Sequence, residues 1–239
     1  MKKLVAVGLL AFFSVAAWAQ GFQNVRGNEN VTTEERDAGS FHKIHSSGSF
    51  DVFVTNGSNT SVKVEAEENL QKHVDVSVQG DALVIRPERG YNLRGTKPIK
   101  IYVTATGLKA IRNSGSGNIR CENTLKGSDA FEVAMSGSGN GLVDVEATTV
   151  KASISGSGNL ELKGKTNSLD GSISGSGNIK GKELQSGITT VKISGSGNAE
   201  VVATQKLSSK ISGSGGIKYW GDAAVESKVS GSGHISKQN

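Results

Sequence analysis

The stretch Ile154-Ser155-Gly156-Ser157-Gly158-Asn159-Leu160 contains one copy of a short motif that recurs through the second half of the chain. Copies of Ser-Gly-Ser-Gly begin at Ser114, Ser136, Ser155, Ser174, Ser194, Ser212 and Ser230. The intervals between them are 22, 19, 19, 20, 18 and 18 residues. Near-constant spacing of this length is typical of stacked repeat proteins, in which each unit contacts only its neighbours. The sequence therefore predicts a solenoid.

The residue types of the motif suit the corner of a stacked β structure. An apolar residue directly before the motif, such as Ile154, is expected to point inward. Alternation then sends the first serine outward, the first glycine inward and the second serine outward. Glycine permits a sharp bend, and asparagine tolerates turns and can hydrogen-bond to the same residue of the next coil. The predicted asparagine column contains Asn118, Asn140, Asn159, Asn178 and Asn198, with Gly216 and His234 in the last two copies.

An interval of 18 to 22 residues fits one coil of a parallel β-helix with three short strands and three corners. Parallel crossover connections are right-handed in nearly all proteins. We therefore predict an all-β protein whose residues 113–236 form a right-handed, single-stranded parallel β-helix. A disordered Gly/Ser linker is disfavoured, because apolar residues flank every copy of the motif.

Residues 41–112 are also predicted to be β, in a less regular arrangement. Three apolar residues alternate with polar neighbours in one of its strands: Phe50, Val52 and Val54. Turn signals at Asn56-Gly57 and Gly80-Asp81 separate the strands, and only residues 65–73 suit a short helical turn. We expect this region to form irregular coils or a cap at one end of the solenoid. Tyr219-Trp220 is expected to cover the other end.

Residues 1–19 are predicted to be a secretory signal peptide. Two lysines precede an apolar run over residues 4–16, and Ala17-Trp18-Ala19 has the small-x-small pattern of a cleavage site. The run is shorter than the about 20 residues that span a bilayer, and no cysteine directly follows it for lipid attachment. We expect an exported protein, periplasmic, surface-associated or secreted, in which residues 20–40 form a loose or partly ordered polar lead-in.

Charge and cysteine content disfavour several functional classes. The formal net charge of +5 falls to +3 without the two lysines of the leader, and the remaining basic residues are spread along the chain. A nucleic-acid-binding protein needs a concentrated basic face, so this class is disfavoured. One local basic cluster, interpreted as solvated loop charges or as an anion site, contains Arg86, Arg89, Arg94 and Lys97. Cys121 is the only cysteine, which excludes an intramolecular disulfide.

No catalytic, metal-binding or cofactor-binding residues are predicted. Glycoside hydrolysis needs paired carboxylates, but the acids of the repeats do not recur at one coil position: Asp144, Glu146, Glu161, Asp170, Glu183, Glu200, Asp222 and Glu226. The only aromatic residues after residue 112 are Phe131, Tyr219 and Trp220. Turns of Ser and Asn lack the charge that Ca²⁺ requires. His42 and His45 are expected to be exposed on opposite faces of a strand, and Cys121 to be a small strand residue without a catalytic base.

The chain resembles the bacterial family called putative autotransporter adhesin, head GIN domain, which is common in the Bacteroidetes. The resemblance covers about residues 40–236. It rests on Phe41-His42-Lys43-Ile44, Ser47-Gly48-Ser49-Phe50-Asp51-Val52, Asn69-Leu70 and the Ser-Gly-Ser-Gly series. It implies a β-helical exported protein and supplies no catalytic residues. Unlike an autotransporter, the sequence has no translocator barrel after Gly233, so we expect the protein to lie in the periplasm or to associate with the cell surface through a partner.

These observations favour a non-enzymatic binding or structural module of the cell envelope, adhesin-like in character. The expected partner is an envelope protein or glycan, and the long serine-rich face also allows a homo-oligomer. Two alternatives stay open: a polysaccharide-acting enzyme, since parallel β-helices host such sites, and an ice-binding solenoid with an ordered array of serine hydroxyls. Function is expected in the less regular parts, the loop from Arg86 to Lys97 and the Tyr219-Trp220 end.

Overall fold

Copies of the motif stack in register in the computed structural model, which describes residues 22–239. Ser155 pairs with Ser136 on one side and with Ser174 on the other, in both cases between parallel strands. The stacked parallel coils form a β-solenoid of about seven turns, which confirms the predicted solenoid. The leader predicted for residues 1–19 lies outside the described residues.

The strands fall into an N-terminal group and a group that carries the motif. The first group consists of β1 (Gln23–Arg26), β2 (Val31–Arg36), β3 (Lys43–Gly48), β4 (Asp51–Asn56), β5 (Ser61–Glu67), the short helix α1 (Glu68–Gln71), β6 (Val74–Gln79), β7 (Ala82–Pro87), β8 (Tyr91–Arg94) and β9 (Lys100–Ala105). The second group consists of β10 (Ala110–Gly115), β11 (Asn118–Cys121), β12 (Ala130–Gly137), β13 (Asn140–Gly156), β14 (Asn159–Gly175), β15 (Asn178–Gly195), β16 (Asn198–Val202), β17 (Lys206–Gly213), β18 (Gly216–Trp220), β19 (Ala224–Ser230) and β20 (His234–Lys237).

Each central coil is one long strand that bends in its middle. β13 and β14 contain 17 residues each and β15 contains 18, and each runs from a motif asparagine to the first glycine of the next motif. In β14, the buried residues Leu160 and Leu162 precede the bend, and Leu169 and Ile173 follow it. Pairing with the neighbouring coil is interrupted within these strands, at Thr148 in β13 and, where β14 pairs with β15, between Glu161 and Lys163 and at Asn167. The division of each coil into three short strands stays a prediction.

Equivalent apolar side chains stack into columns that fill the interior. The column directly before the motif contains Ile154, Ile173, Ile193 and Ile211, each at most 2% exposed. The column directly after the asparagine contains Leu160, Ile179, Ala199 and Ile217. Burial of apolar surface is the main favourable term in folding, so these columns hold each coil on the next. The prediction that the residue before the motif points inward is confirmed.

The two glycines of the motif differ in role. Gly156 has a φ of 122°, and a Cβ at this position would lie 2.5 Å from the carbonyl oxygen of Gly137. Gly158 is the buried glycine of the pair, and a Cβ there would lie 2.4 Å from the carbonyl oxygen of Gly139. The expectation that the first glycine points inward is wrong. The chain turns at the first glycine, which resets the alternation, and both serines are exposed as predicted.

An additional copy of the corner lies earlier in the chain. β10 pairs in parallel with β3, with Ser114 opposite Ser47, and β11 pairs with β4, with Asn118 opposite Asp51. Ser47-Gly48-Ser49-Phe50-Asp51 is therefore an eighth copy, in which phenylalanine replaces the second glycine and aspartate replaces the asparagine. These two replacements hide the copy from a search for the tetrapeptide.

The first coils of the solenoid are not stacked in sequence order. β3 pairs with β7 on the side away from β10, and β4 pairs with β9 on the side away from β11. The coil formed by β3 and β4 therefore lies between the coil of β7 and β9 and the coil of β10 and β11. As a result, this early segment is enclosed within the stack.

Antiparallel strands close the N-terminal end of the solenoid. β5 pairs with β9, β2 with β5, and β6 with β7. α1 contacts β2 and β5 with Leu70 fully buried, which confirms the helical turn predicted within residues 65–73. The lead-in, expected to be loose or partly ordered, contains two paired strands, since β1 pairs with β8 and β2 with β5. No helix within residues 22–239 is long and apolar enough to cross a membrane.

The C-terminal end is open in the described part of the chain. β19 pairs with β17 and β20 with β18, and no strand of residues 22–239 pairs with their outer edges. Every residue of β19 is exposed. Tyr219 and Trp220 lie in β18, one coil before this end. The expectation that they cover the end is therefore wrong.

Candidate functional site

The motif asparagines form a hydrogen-bonded ladder along one edge of the solenoid. Each Nδ2 donates to the Oδ1 of the asparagine one coil earlier, over 2.8 to 3.1 Å: Asn140 to Asn118, Asn159 to Asn140, Asn178 to Asn159 and Asn198 to Asn178. Asn118 donates in the same way to Asp51 at 2.8 Å. Because a carboxylate only accepts, Asp51 fixes the direction of the ladder. The predicted column is confirmed, and its amides are engaged in holding coils together.

The ladder ends at Gly216, where a groove of about 380 Å³ opens. Gly216 donates its backbone N–H to Oδ1 of Asn198 over 3.1 Å. Charged side chains in this groove alternate in sign from coil to coil, in the order Lys180, Glu200 and Lys218. Lys218 Nζ lies 3.9 Å from Glu200 Oε1. Alternating charges on neighbouring strands stabilise the sheet, so the charges of this groove largely compensate one another.

A second groove, of about 590 Å³, lies on the other side of the corner, and we call it the serine groove. Two outward columns of side chains line it, together with the apolar residues between them in sequence, Met135, Ile154, Ile173 and Ile193. One column is the first serine of each motif: Ser136, Ser155, Ser174, Ser194 and Ser212. The other lies two residues earlier: Ala134, Ser153, Ser172, Lys192 and Lys210. The serine groove is therefore uncharged at one end and basic at the other.

Three lysines follow one another along the basic end of the serine groove. Lys192 lies beside Lys210, and Lys210 lies beside Lys228 on the next coil, and we call these three the lysine column. None of the three forms an ion pair with a carboxylate of residues 22–239. Neighbouring strands are about 4.8 Å apart, so like charges at this spacing repel. An anion placed between the amines would remove this repulsion.

Hydroxyl groups flank the lysine column on the same strands. Thr190 and Ser194 lie two residues on either side of Lys192 and project from the same face. Ser208 and Ser212 hold the same positions around the next lysine, and all four residues are at least partly exposed. Ammonium and hydroxyl groups both donate hydrogen bonds to carboxylate, sulfate or phosphate oxygens. The basic end of the serine groove can therefore bind an anion without covalent chemistry.

The lysine column was not among the sequence-based predictions, although the sequence contains its signal. The last three copies of the motif are each preceded by lysine and one apolar residue, beginning at Lys192, Lys210 and Lys228. The copies beginning at Ser136, Ser155 and Ser174 have alanine or serine at that position. Alignment of the copies on their first serine, extended two residues upstream, would have revealed the column.

The basic cluster of residues 86–97 is not assembled into an anion site. Arg86 Nε lies 2.8 Å from Oδ2 of Asp75. Arg89, Arg94 and Lys97 are exposed. These positions fit the interpretation of solvated loop charges.

A buried carboxylate, Glu67, ties this loop to the lead-in. Glu67 is 1% exposed and accepts hydrogen bonds from the backbone N–H of Glu29 at 2.7 Å, and from the N–H and Oγ1 of Thr96, both at 2.8 Å. Burial raises the pKa of Glu67, but the hydrogen bonds from Thr96, Glu29 and Lys97 outweigh burial and hold its pKa below the usual value. Glu67 is therefore an ionised structural residue of the cap.

The remaining side chains singled out in the sequence take structural positions. Burial raises the pKa of Cys121 to about 12, so its thiol is protonated at neutral pH. Lys182 Nζ lies 5.0 Å from the centroid of the Trp220 ring, at cation–π distance. His42 and His45 are both partly exposed, and His42 Nδ1 lies 2.7 Å from Oδ1 of Asp81. Within residues 22–239 no cluster of three His, Cys, Asp or Glu could hold a metal ion.

The chain is similar to several proteins of known structure, three of which are described below. A putative lipid binding protein from Parabacteroides distasonis ATCC 8503 is 28% identical, with a TM-score of 0.75 and coverage of 91% of this chain and 100% of that one. A putative adhesin from Bacteroides fragilis NCTC 9343 is 23% identical, with a TM-score of 0.83 and coverage of 90% and 100%. A putative adhesin from Parabacteroides merdae ATCC 43184 is 24% identical, with a TM-score of 0.71 and coverage of 90% and 99%.

None of the curated proteins matches the sequence. The family model described as putative auto-transporter adhesin, head GIN domain, matches residues 40–223, which is more than half of the chain. The match spans the N-terminal cap except for β2, and all but the last of the coils. The resemblance predicted from the motifs is thereby confirmed, and the chain belongs to this family.

Proposed function

We propose that the protein is a non-enzymatic, adhesin-like binding module of the cell envelope, which binds a linear anionic glycan along the serine groove. The observation that carries the proposal is the lysine column, in which adjacent cationic side chains have no acidic partner within residues 22–239. Two neighbouring adhesin-named structures and the family support a binding role of this kind.

A polymer fits the geometry better than a small anion. Lys192 and Lys210 lie on successive coils, and the columns of small side chains continue in line with them to Ser136. The groove is thus a straight, shallow channel across several coils rather than an enclosed pocket. A chain molecule with regularly spaced carboxylates or sulfates can meet the amines at one end while its sugar hydroxyls contact the serine hydroxyls.

A lipid would have to bind to this protein at a surface and not in an internal cavity. The relative from Parabacteroides distasonis is described as a putative lipid binding protein. Here the interior is filled by stacked side chains such as Ile154 and Ile173, each 2% exposed. An acyl chain would therefore have to lie on the surface. We favour the glycan because the two outward columns of the serine groove carry hydroxyl and ammonium groups beside its apolar lining residues.

The leader and the family support a place at the envelope. We infer export from the leader over residues 1–19, and attachment to the periplasmic or outer surface through the bound glycan. The mature protein would then bind to a glycan polymer, and many copies of the protein could bind along the same polymer.

The test is equilibrium binding of the purified protein to polygalacturonate, with neutral dextran and phosphatidylglycerol vesicles as separate arms. We expect saturable binding to the polyanion, weakened by salt because the contacts are ionic. The variant K192Q/K210Q should bind about tenfold more weakly, which corresponds to about 1.4 kcal/mol. The matched control K72Q/K97Q removes the same charge from exposed lysines at the N-terminal end and should bind like the wild type.

Three outcomes would contradict the proposal. Equal weakening in both double variants would show unspecific charge attraction. Binding to neutral dextran as strong as binding to polygalacturonate would show that the lysine charges do not contribute to binding. Binding to the vesicles without binding to the polyanion would favour the lipid instead.

A further inference from the structure

The outer edge of β19 exposes side chains that every earlier coil buries. Val225 pairs in register with Leu207 of β17, and Val229 pairs with Ile211. Both β17 residues are 0% exposed, whereas Val225 is 44% and Val229 42% exposed. Val225 and Val229 occupy the same positions in their coil as Leu207 and Ile211 do in theirs. Their exposed fractions differ because no further coil of residues 22–239 covers β19. This end is an unpaired sheet edge that carries an apolar strip.

The opposite end of the solenoid shows how this fold closes an edge. There the antiparallel strands β5 and β6 pair with the outermost parallel strands, β2 pairs with β5, and α1 packs against β2 and β5. An exposed and apolar strand edge is a template for pairing with another strand. A strand that approached β19 could therefore close this end as β5 and β6 close the other.

The sequence of β19 is complementary to itself when read in the opposite direction. The strand reads Ala224-Val225-Glu226-Ser227-Lys228-Val229-Ser230. In an antiparallel pair of two such strands centred on Ser227, Val225 faces Val229 and Glu226 faces Lys228 of the second copy. The apolar strip then meets an apolar strip, and each charge meets its opposite. A parallel in-register pair would instead place glutamate beside glutamate and lysine beside lysine, which is unfavourable.

The charges around β19 favour the same arrangement. Lys228 forms no ion pair with residues 22–239, and its neighbour on the preceding coil is Lys210. Within residues 22–239 Glu226 forms one ion pair, with its Oε2 3.3 Å from Nζ of Lys206. A glutamate of a second copy beside Lys228 would interrupt the run of like charges in the lysine column.

We propose that two copies of this protein associate through antiparallel pairing of their β19 strands, about a twofold axis at Ser227. Such an interface uses the same patch on both copies and closes after two, so it ends in a dimer rather than a fibre. The dimer places the two caps at its far ends and the two serine grooves on either side of the twofold axis. This goes beyond the binding function and does not depend on it.

The first experiment measures mass in solution by sedimentation equilibrium over a range of concentrations. We expect the wild type to reach twice the monomer mass. Glu226→Lys and Lys228→Glu each place like charges opposite one another across the axis, so each should weaken the dimer at least about tenfold. The double variant E226K/K228E restores opposite charges and should recover the dimer. The double variant still lacks the contact between residue 226 and Lys206. Recovery of its dimer would therefore show that the single variants act through the interface and not through loss of that contact.

The second experiment tests the register directly. Directly opposed residues of an antiparallel pair have Cα atoms about 4.5 to 5.5 Å apart, within the range for a disulfide. Ser227→Cys should therefore form a covalent dimer under mild oxidation. Ser58→Cys, in an exposed turn near the other end, is the control, and its rate of cross-linking measures disulfide formation by random collision.

Two results would overturn the dimer. One is a wild-type protein that stays monomeric together with Ser227→Cys cross-linking no faster than Ser58→Cys. The other is a dimer that both single charge variants leave unchanged, since that dimer would use another surface. Thermal unfolding followed by circular dichroism establishes that each variant is folded before its mass is interpreted.

Discussion

Single residues at the corner decide whether one coil can lie on the next. The first glycine of each motif has a positive φ, and the backbone of the preceding coil passes within contact distance of it. The asparagine that follows completes a directional ladder that begins at the Asp51 carboxylate. Serine lies on the exposed side of the same corner and is free to meet solvent or a ligand. Glycine and asparagine therefore serve folding, whereas serine and the lysines beside it are available for binding.

Gly156→Ala should be among the most damaging conservative changes in the chain. The new Cβ would lie 2.5 Å from the carbonyl oxygen of Gly137, at a φ of 122° that alanine rarely adopts. Backbone strain alone is about 1–3 kcal/mol, and the clash adds to it, so we expect a loss of at least about 3 kcal/mol in urea unfolding. Gly39→Ala is the matched control, because a Cβ there meets nothing within 4 Å. Similar losses in both variants would contradict this account of the corner.

Local patterns in the sequence were sufficient for most of the corner, but not for the orientation of its first glycine or for the first coils. The period of the motif predicts parallel stacking, the buried residue before the motif and the asparagine column. The eighth copy was missed because Phe50 and Asp51 replace the residues that define the motif. Its pairing partner Asn118 is 67 residues away, so no local pattern shows that the two corners touch. The lysine column is visible only when the copies are aligned and compared at a position outside the tetrapeptide.

At the scale of elements, the N-terminal cap is an assembly of segments distant in sequence. β2 and β5 continue one sheet of the solenoid in antiparallel fashion, and β6 continues the other. Glu67, at the end of β5, accepts hydrogen bonds from both the lead-in and the loop before β9. One buried carboxylate therefore joins three segments, and its ionisation should set the acid stability of the cap.

Glu67→Gln should lower the free energy of unfolding by about 1–3 kcal/mol at pH 7, because hydrogen bonds to a charged acceptor are replaced by weaker ones. The folded pKa of Glu67 lies below its unfolded value of about 4.3. Its contribution is therefore complete above that unfolded value and is lost as the pH falls through the folded pKa. The difference between wild type and variant should accordingly shrink in acid, as followed by urea unfolding at several pH values. Glu35→Gln, at an exposed carboxylate of β2, should show little difference at any pH; a constant deficit for Glu67→Gln would refute the assignment.

At the scale of the whole molecule, the two ends of the solenoid differ. In a stack of coils, each coil is stabilised mainly by its two neighbours, so end coils open most easily unless they are covered. The N-terminal end has antiparallel strands and a buried Leu70, whereas β19 at the other end is exposed along its whole length. Stability should therefore rise from the C-terminal end toward the centre and fall only slightly toward the cap.

Hydrogen exchange followed by mass spectrometry at a dilution where the protein is monomeric should show this gradient. We expect peptides from β14 to exchange slowest, those from β5 at an intermediate rate, and those from β19 fastest, because β19 has a neighbour on one side only. Leu70→Ala removes a fully buried side chain of the cap, at a cost of about 2–5 kcal/mol. It should speed exchange in β5 toward the rate of β19 and leave β14 nearly unchanged. Equal acceleration in all three strands would mean that the solenoid opens as a single cooperative unit, and the difference between its ends would then have no energetic consequence.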